Sequence, residues 1–541
     1  MFIFSRIKNK NLYIIISLLS SLIINNYANA NINLESNIEL LLEDKRGKDL
    51  KINYKKYDLN FNKNTTDYNI YNCNNKSAKV KIINYNKKDL IDGKNKSNIT
   101  KKLSSDTLIK VYIKKYNKSF YLRCLPDDFP LLAYNTHKTN KIEGYLAIPY
   151  YARTLTGNTF SSNYFIITDT KGAVLWYMRS SGGSTFLDLF DEEFLISRGV
   201  SNGFHPGTPT KYNSAKISDL SGLTINDISL ASYLARPTYV TDDKYILMTG
   251  SPNRSNVDIS KLNLTLQDQS NGKCIINKED VNIAGVSIDL LDQSGKLVKS
   301  IDLTDKIPYH ASSKANIVNR ALPNEPLDCA IDIFHQNSIT ESEDKKGYIL
   351  SNRWSGVFYI DKATEEIIWH IGAYKSEKSL EIISDPLGSK GPIAQHGGFL
   401  TKDNRLFIFD NQIEKNVLAR GVEYYIDNDN KKAIFIKSYI LGVDFCVDQN
   451  GIFTCNSNSQ GHIEIINDKK DILVSWGNTE GREEQATFFN AKGEALATLS
   501  ILSNKPNVMA VSFIDKNLFS KDMLRKNASS KTVINNGTYP K

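Results

Sequence analysis

Across its 541 residues the chain has no Cys-x-x-Cys, no His-Glu-x-x-His and no Gly-x-x-x-x-Gly-Lys-Ser/Thr segment. These absences speak against thiol redox catalysis and zinc ribbons, against a thermolysin-type zinc centre, and against a loop that cradles nucleotide phosphates. A Gly-x-Gly-x-x-Gly dinucleotide fingerprint is missing too. After residue 24 no run approaches the roughly 18 apolar residues of a membrane-crossing helix. Proline and glycine are sparse, at 14 and 30, which excludes collagen-like and low-complexity architectures. Charge of one sign is not in strong excess: 68 Lys and Arg against 59 Asp and Glu leave +9. That is a weak field with no basic stripe, so nucleic acid is not an expected partner.

With 41% hydrophobic and 23% charged residues the chain can bury a large core. Its length exceeds what one core spans outside closed β architectures. Arg6, Lys8 and Lys10 precede the apolar run Leu12–Ile24, and Ala28-Asn29-Ala30 supplies a small-x-small cleavage pattern. Residues 1–30 therefore read as a secretory signal peptide, with an uncleaved anchor as the alternative. No cysteine follows the cleavage pattern, which argues against a lipoprotein. The mature chain is expected in the periplasm or outside the cell, without stable membrane insertion. The cysteines Cys73, Cys124, Cys274, Cys329, Cys446 and Cys455 agree with an oxidising compartment. Many pairings are open, and locality favours Cys73–Cys124, Cys274–Cys329 and Cys446–Cys455.

Two textures follow the leader. Residues 31–130 are rich in Lys and Asn and carry short alternating segments at 57–61, 67–71, 78–83, 108–116 and 119–125. This predicts a small antiparallel β-sandwich. From residue 131 to 541 the pattern becomes a train of apolar strand, polar turn, apolar strand, as in YFIITDTKGAVLWY (164–177), VSIDLLDQSGKLVKSIDL (286–303), VFYIDKATEEIIWHIG (357–372), VEYYIDNDNKKAIFIKSYI (422–440) and IEIINDKKDILVSWG (463–477). Between these lie short apolar strands at 194–199, 245–250, 348–353, 405–411, 451–457 and 508–513. Taken as innermost strands, they predict an all-β fold with a six-bladed β-propeller, an insertion around 251–330, and the 164–177 hairpin closing the ring onto the last blade.

A propeller brings polar residues at the ends of its innermost strands into one funnel. Of seven histidines, two have suggestive settings. His335 lies in CAIDIFHQNSI just before the strand ending at Arg353, and His396 lies in PIAQHGGF just before the strand ending in Asp410-Asn411. His137, His310, His370 and His462 read as packing or surface residues, and Trp176 and Trp369 as fillers between blades.

In order along the chain stand His335-Gln-Asn-Ser338, Ser351-Asn-Arg353, Trp369-His-Ile-Gly372, Gln395-His396 and Phe409-Asp-Asn411, preceded by LPDDFP at 125–130. This ordered set resembles the bacterial aryl-sulfate sulfotransferases over about residues 125–445. The resemblance implies an N-terminal β-sandwich, a six-bladed propeller, a periplasmic location and no cofactor. It also implies transfer of a sulfuryl group from a phenolic sulfate ester to a phenol without the activated nucleotide donor PAPS. By the same resemblance His396 is the nucleophile and forms a sulfohistidine. Arg353 holds the sulfuryl oxygens through its planar fork. His335 donates to a sulfuryl oxygen or protonates the departing phenolate, and Asn337 orients the group or the ring.

In one place the chain departs from the family pattern. Where the family carries a further His, LARPTYVTDDKYIL (234–247) has Ala235 and Arg236. Arg236 as a second anion clamp, or His205 of FHPGTP reaching the funnel, are the two substitutes. The alternative to an enzyme is a non-catalytic propeller binding an anionic or sulfated ligand in the same funnel. A metal-dependent hydrolase is disfavoured, because His335 and His396 are too few ligands. Dimerisation through the sandwich remains open.

Overall fold

The computed structural model describes residues 38–43 and 63–532, apart from 83–84, 139–141, 154–159, 180–182, 192–193, 201–213, 222–223, 230–235, 242, 320–325, 373, 390, 414–417, 442–456, 458, 478–482, 503–505 and 509. The leader region, the segment expected at 57–61, His205, Ala235, Cys446, Cys455 and all but the last residue of the strand expected at 451–457 lie outside them. Strands dominate, and among the described residues no helix is long and apolar enough to cross a membrane. The chain forms two compact units that meet in sequence between Asp127 and Asp128.

In the first unit one sheet runs Ile38–Glu43, Ser77–Ile82, Asn98–Lys102, and a second runs Asp67–Ile70, Lys118–Cys124, Leu108–Ile113, Leu90–Ile91. Alternation decides the burial. Ala78, Val80 and Ile82 from one sheet and Ile109, Val111, Phe120 and Leu122 from the other are inside one apolar cluster, while Lys79, Lys81 and Lys110 between them face out. The expected all-antiparallel pairing needs correction, because Asp67–Ile70 runs parallel to Lys118–Cys124. The chain between them builds other strands first, which supplies the long connection that a parallel pair needs. The Cys73–Cys124 disulfide joins the end of this crossover, with Cα atoms 5.7 Å apart.

The second unit is a β-propeller of antiparallel meanders. Its sheets begin with Gly183–Asp191, Arg236–Val240, Gln336–Glu341, His396–Leu400 and His462–Ile465. The remaining sheet starts on Pro506–Val508 and Ser512–Asp515, both paired with Gly144–Arg153. Each first strand touches the first strand of the next sheet. The series returns through Ser512–Asp515 and Gly144–Arg153 to Gly183–Asp191. A second closure adds Leu132–Thr136 to the outer edge of the His462–Ile465 sheet by pairing with Ala495–Ile501.

This ring corrects the strand reading. The apolar runs at 194–199, 245–250, 348–353 and 405–411 are second strands, not innermost ones. They look like cores because neighbours cover both faces: Ile246–Gly250 and Gly347–Asn352 are buried throughout. The innermost Gln336–Glu341 is equally buried, yet Ile339 is its sole apolar residue. For the same reason the hairpin at 463–477 is an inner pair, whereas those at 286–303, 357–372 and 422–440 are outer pairs. The insertion is a sheet of its own, ordered Asn253–Val257, Val281–Ala284, Cys329–Asp332, Lys314–Asn319, Thr265–Asp268, and the Cys274–Cys329 disulfide fastens it.

Candidate active site

Innermost strands start at the same end of the ring with Arg236, Gln336, His396 and His462. Four of the five sequence motifs meet there through hydrogen bonds within and between neighbouring sheets. The Arg353 N–H donates to the His335 carbonyl at 3.0 Å. The Gln395 side chain donates to the Asn352 carbonyl at 2.6 Å, and the Asn337 amide donates to the Gln395 carbonyl at 2.7 Å. His335, Asn337 and Arg353 are thereby tied to the residue before His396. Thr340 Oγ1 adds a bond to the Gly398 carbonyl at 2.6 Å.

His396 is half-buried, and its Nδ1 lies 2.9 Å from the Gly461 carbonyl. A carbonyl accepts only, so Nδ1 carries the proton and the lone pair of the neutral ring sits on Nε2. The position of that carbonyl depends on glycine. Gly461 has φ +93°, and a Cβ there would meet the Phe409 ring at 2.2 Å. Asn411 holds the same turn, donating to the Ser457 hydroxyl at 3.0 Å and the Gln460 carbonyl at 3.1 Å. The Phe409–Asn411 motif therefore serves His396 through Gly461. Trp369 stacks on Tyr359 at 5.4 Å, away in the outer strands, and belongs to packing.

His335 adopts φ +50° just after the insertion strand Cys329–Asp332. Its N–H donates to Asp332 Oδ1 at 2.9 Å, and its Nδ1 lies 2.6 Å from Asp332 Oδ2 and 3.0 Å from Asn316 Nδ2. Asp332 is 1% exposed. The Arg353 guanidinium lies over the Trp354 ring at 4.7 Å, with Lys314 Nζ 5.7 Å from the same ring and His335 at 6.0 Å. Among the described residues, Asn337 Oδ1, Ser351 Oγ, both amide atoms of Asn352 and Trp354 Nε1 are buried polar atoms with no protein partner. Such atoms call for a partner from outside the protein.

A salt-bridge cluster fixes the loop leading to His396. Arg420 makes a paired contact with Asp385 at 2.9 and 2.8 Å and a third bond to Asp410 at 3.0 Å. Asp410 in turn accepts the Ile393 N–H at 2.8 Å. Burial pushes the Asp410 carboxyl up against the pull of Arg420. For Asp385 burial also raises the value, but the bonds from Arg420 and Tyr424 outweigh it and leave the carboxyl low.

Arg236 opens the innermost strand of its sheet, opposite Thr249. His205 lies outside the described residues. Asp332, Asn316, Gly461 and His462 were not singled out from sequence. A signal for three of them was available: Asp332 stands three residues before His335, and Gln460-Gly461-His462 carries the same residue types as Gln395-His396-Gly397. Of the two readings of His462, packing or surface, the structure shows packing. Its Nδ1 would lie 3.1 Å from a Cβ on Gly397, and burial pushes it down to about 4.

A family model described as Arylsulfotransferase (ASST) matches residues 134–494. No curated protein matches the chain. Similar solved structures include the β-propeller domain of Myceliophteria thermophila Cps50 (Swd1), at 13% identity over 60% of this chain and 88% of that one, with a TM-score of 0.31. Another is a Bacteroides fragilis protein provisionally assigned as a 6-phosphogluconolactonase, at 12% identity over 70% and 99%, with a TM-score of 0.35. Likeness at this level carries no information on chemistry.

Proposed function

Since the chain belongs to the arylsulfotransferase (ASST) family, we propose that it is an exported enzyme moving a sulfuryl group from an aryl sulfate to a phenol through a sulfohistidine at His396. We read its ring as six blades and its first unit as a β-sandwich. One observation carries the reading: the Gly461 carbonyl holds His396 Nδ1–H, so the nucleophilic lone pair is on Nε2 at neutral pH.

Attack by Nε2 on sulfur releases a phenolate. Arg353, braced on Trp354, compensates charge on the sulfuryl oxygens as sulfur moves from oxygen to nitrogen. His335 supplies the proton to the phenolate. Asn337 acts through the backbone: its donation to the Gln395 carbonyl fixes the peptide that precedes the nucleophile. Two half-reactions then share one site, and no nucleotide is required. Arg236, at the start of a neighbouring innermost strand, takes the place of the family's further His as an anion clamp. The two disulfides and the leader pattern at residues 6–30 support export.

The test is continuous release of 4-nitrophenol from 4-nitrophenyl sulfate by the oxidised mature protein, with and without phenol and with no nucleotide present. Phenol-stimulated release that is lost in His396→Asn is the expected result. No release above that variant, with retained binding of the sulfate ester, would replace the enzyme by a propeller that only binds an anionic ligand.

A further inference from the structure

The insertion sheet does more than fill a long interval. Its two neighbouring strands Lys314–Asn319 and Cys329–Asp332 pair Asn316 directly with Asp332. Both side chains reach His335 Nδ1, at 3.0 and 2.6 Å, and both residues are at most 1% exposed. We propose that Asp332 is a positioning residue that holds His335 with a proton on each ring nitrogen, ready to protonate the departing phenolate. This rests on the sulfuryl-transfer reading above.

The geometry argues for it in two ways. Asp332 grips His335 twice, by the backbone N–H at 2.9 Å and by the ring, which fixes both the left-handed backbone turn and the ring direction. It also answers an electrostatic problem. Arg353 and Lys314 both sit on the Trp354 indole beside His335, and like charges oppose a second proton on the imidazole. A carboxylate 2.6 Å from Nδ1 opposes that repulsion strongly, since the attraction grows as the distance shrinks. Asn316 completes the surroundings of Nδ1 and carries no charge; with a proton on Nδ1 its amide turns so that Oδ1, a buried acceptor with no protein partner among the described residues, faces the ring in place of Nδ2.

The step balances. The bond between sulfur and the aryl oxygen breaks as His396 Nε2 bonds to sulfur, and the proton on His335 Nε2 passes to the phenolate oxygen. His335 is left neutral with Nδ1–H on Asp332, which stays ionised. On return, the acceptor hydroxyl gives its proton to His335 Nε2 while its oxygen takes the sulfuryl group and the N–S bond breaks.

General acid assistance matters most for a basic leaving group, so the test compares phenyl sulfate with 4-nitrophenyl sulfate. Asp332→Asn is expected to lower kcat/KM for phenyl sulfate by about 100-fold or more, and for 4-nitrophenyl sulfate by less than about tenfold. Its activity on phenyl sulfate is expected to decline with rising pH earlier than in the wild type. The exchange Asp332→Asn with Asn316→Asp keeps both volumes and the charge, and returns a carboxylate to Nδ1 from the paired strand. It is expected to recover phenyl sulfate turnover to within about tenfold of wild type. Equal losses on both esters, or an exchange variant no better than Asp332→Asn, would make Asp332 merely structural and overturn the proposal. A wild type inactive on both esters would instead remove the sulfuryl-transfer reading on which it rests.

Discussion

Replacing Gly461 by Ala tests the link between the turn and His396, the proposed nucleophile. A Cβ at this position would lie 2.2, 2.4 and 2.8 Å from three atoms of the Phe409 ring. Carbon atoms are comfortable at about 3.5–4.0 Å, so the ring or the turn must give by more than 1 Å. The ring has little room, because Phe409 is fully buried and meets the Trp476 ring edge-on at 6.2 Å. Overpacking of this kind costs about 1–3 kcal/mol. A side chain forced to φ +93° adds strain of about 1–3 kcal/mol. The variant is therefore expected to lose about 2–6 kcal/mol, read from urea or guanidinium unfolding of the oxidised protein. Relief by moving the turn also takes the carbonyl away from His396 Nδ1, so 4-nitrophenol release should fall more than the unfolded fraction explains. A variant within about 0.5 kcal/mol of wild type, with unchanged turnover, would refute the close approach and the role of the Gly461 carbonyl with it.

Three further outcomes are expected. Replacing Cys274 and Cys329 by Ser opens a loop with a sequence separation of 55. Loop entropy puts the loss at about 4 kcal/mol, measurable as a lower denaturation midpoint. Arg420→Met leaves Asp385 and Asp410 as buried carboxylates without their cation, and should cost about 3–5 kcal/mol in chemical unfolding while loosening the loop before His396. Burial, with Lys375 adding to it, pushes His370 down from its ordinary 6.5 to about 4. Between those values the unfolded chain binds a proton that the folded chain does not. Stability should thus be flat above about pH 6.5 and fall as pH drops towards 4, and His370→Gln should make that fall shallower in unfolding titrations.

The legible parts of the sequence were those carried by local chemistry. Alternation marked the first-unit strands Asp67–Ile70, Ser77–Ile82, Leu108–Ile113 and Lys118–Cys124 but not Ile38–Glu43, Leu90–Ile91 or Asn98–Lys102, and neighbourhood in the chain pointed to Cys73–Cys124 and Cys274–Cys329. The third pairing, Cys446–Cys455, falls outside the described residues. The order of strands within a sheet was misread, because apolarity marks strands covered on both faces and the innermost Gln336–Glu341 is almost wholly polar. His335, Asn337, Arg353 and His396 were visible as motif residues. What fixes them was not visible: Gly461 meets His396 from 65 positions away, and Asn316 meets His335 only because two insertion strands pair in one register. Contacts of that kind are written in topology, and a motif search looks along the chain.

The ring is latched by strands from opposite parts of the sequence, Ser512–Asp515 onto Gly144–Arg153 and Ala495–Ile501 onto Leu132–Thr136. Until residues near 515 exist the first meander has no inner strand, and until Ala495–Ile501 exist Leu132–Thr136 has no sheet to join. Pairings this distant in sequence form slowly, since the intervening chain must be drawn in before they reward it. A ribosome-bound or partly translocated chain would therefore hold individual meanders without a closed funnel. His396 is synthesised before the ring can close around it, so activity would switch on with closure and not with the appearance of the proposed nucleophile.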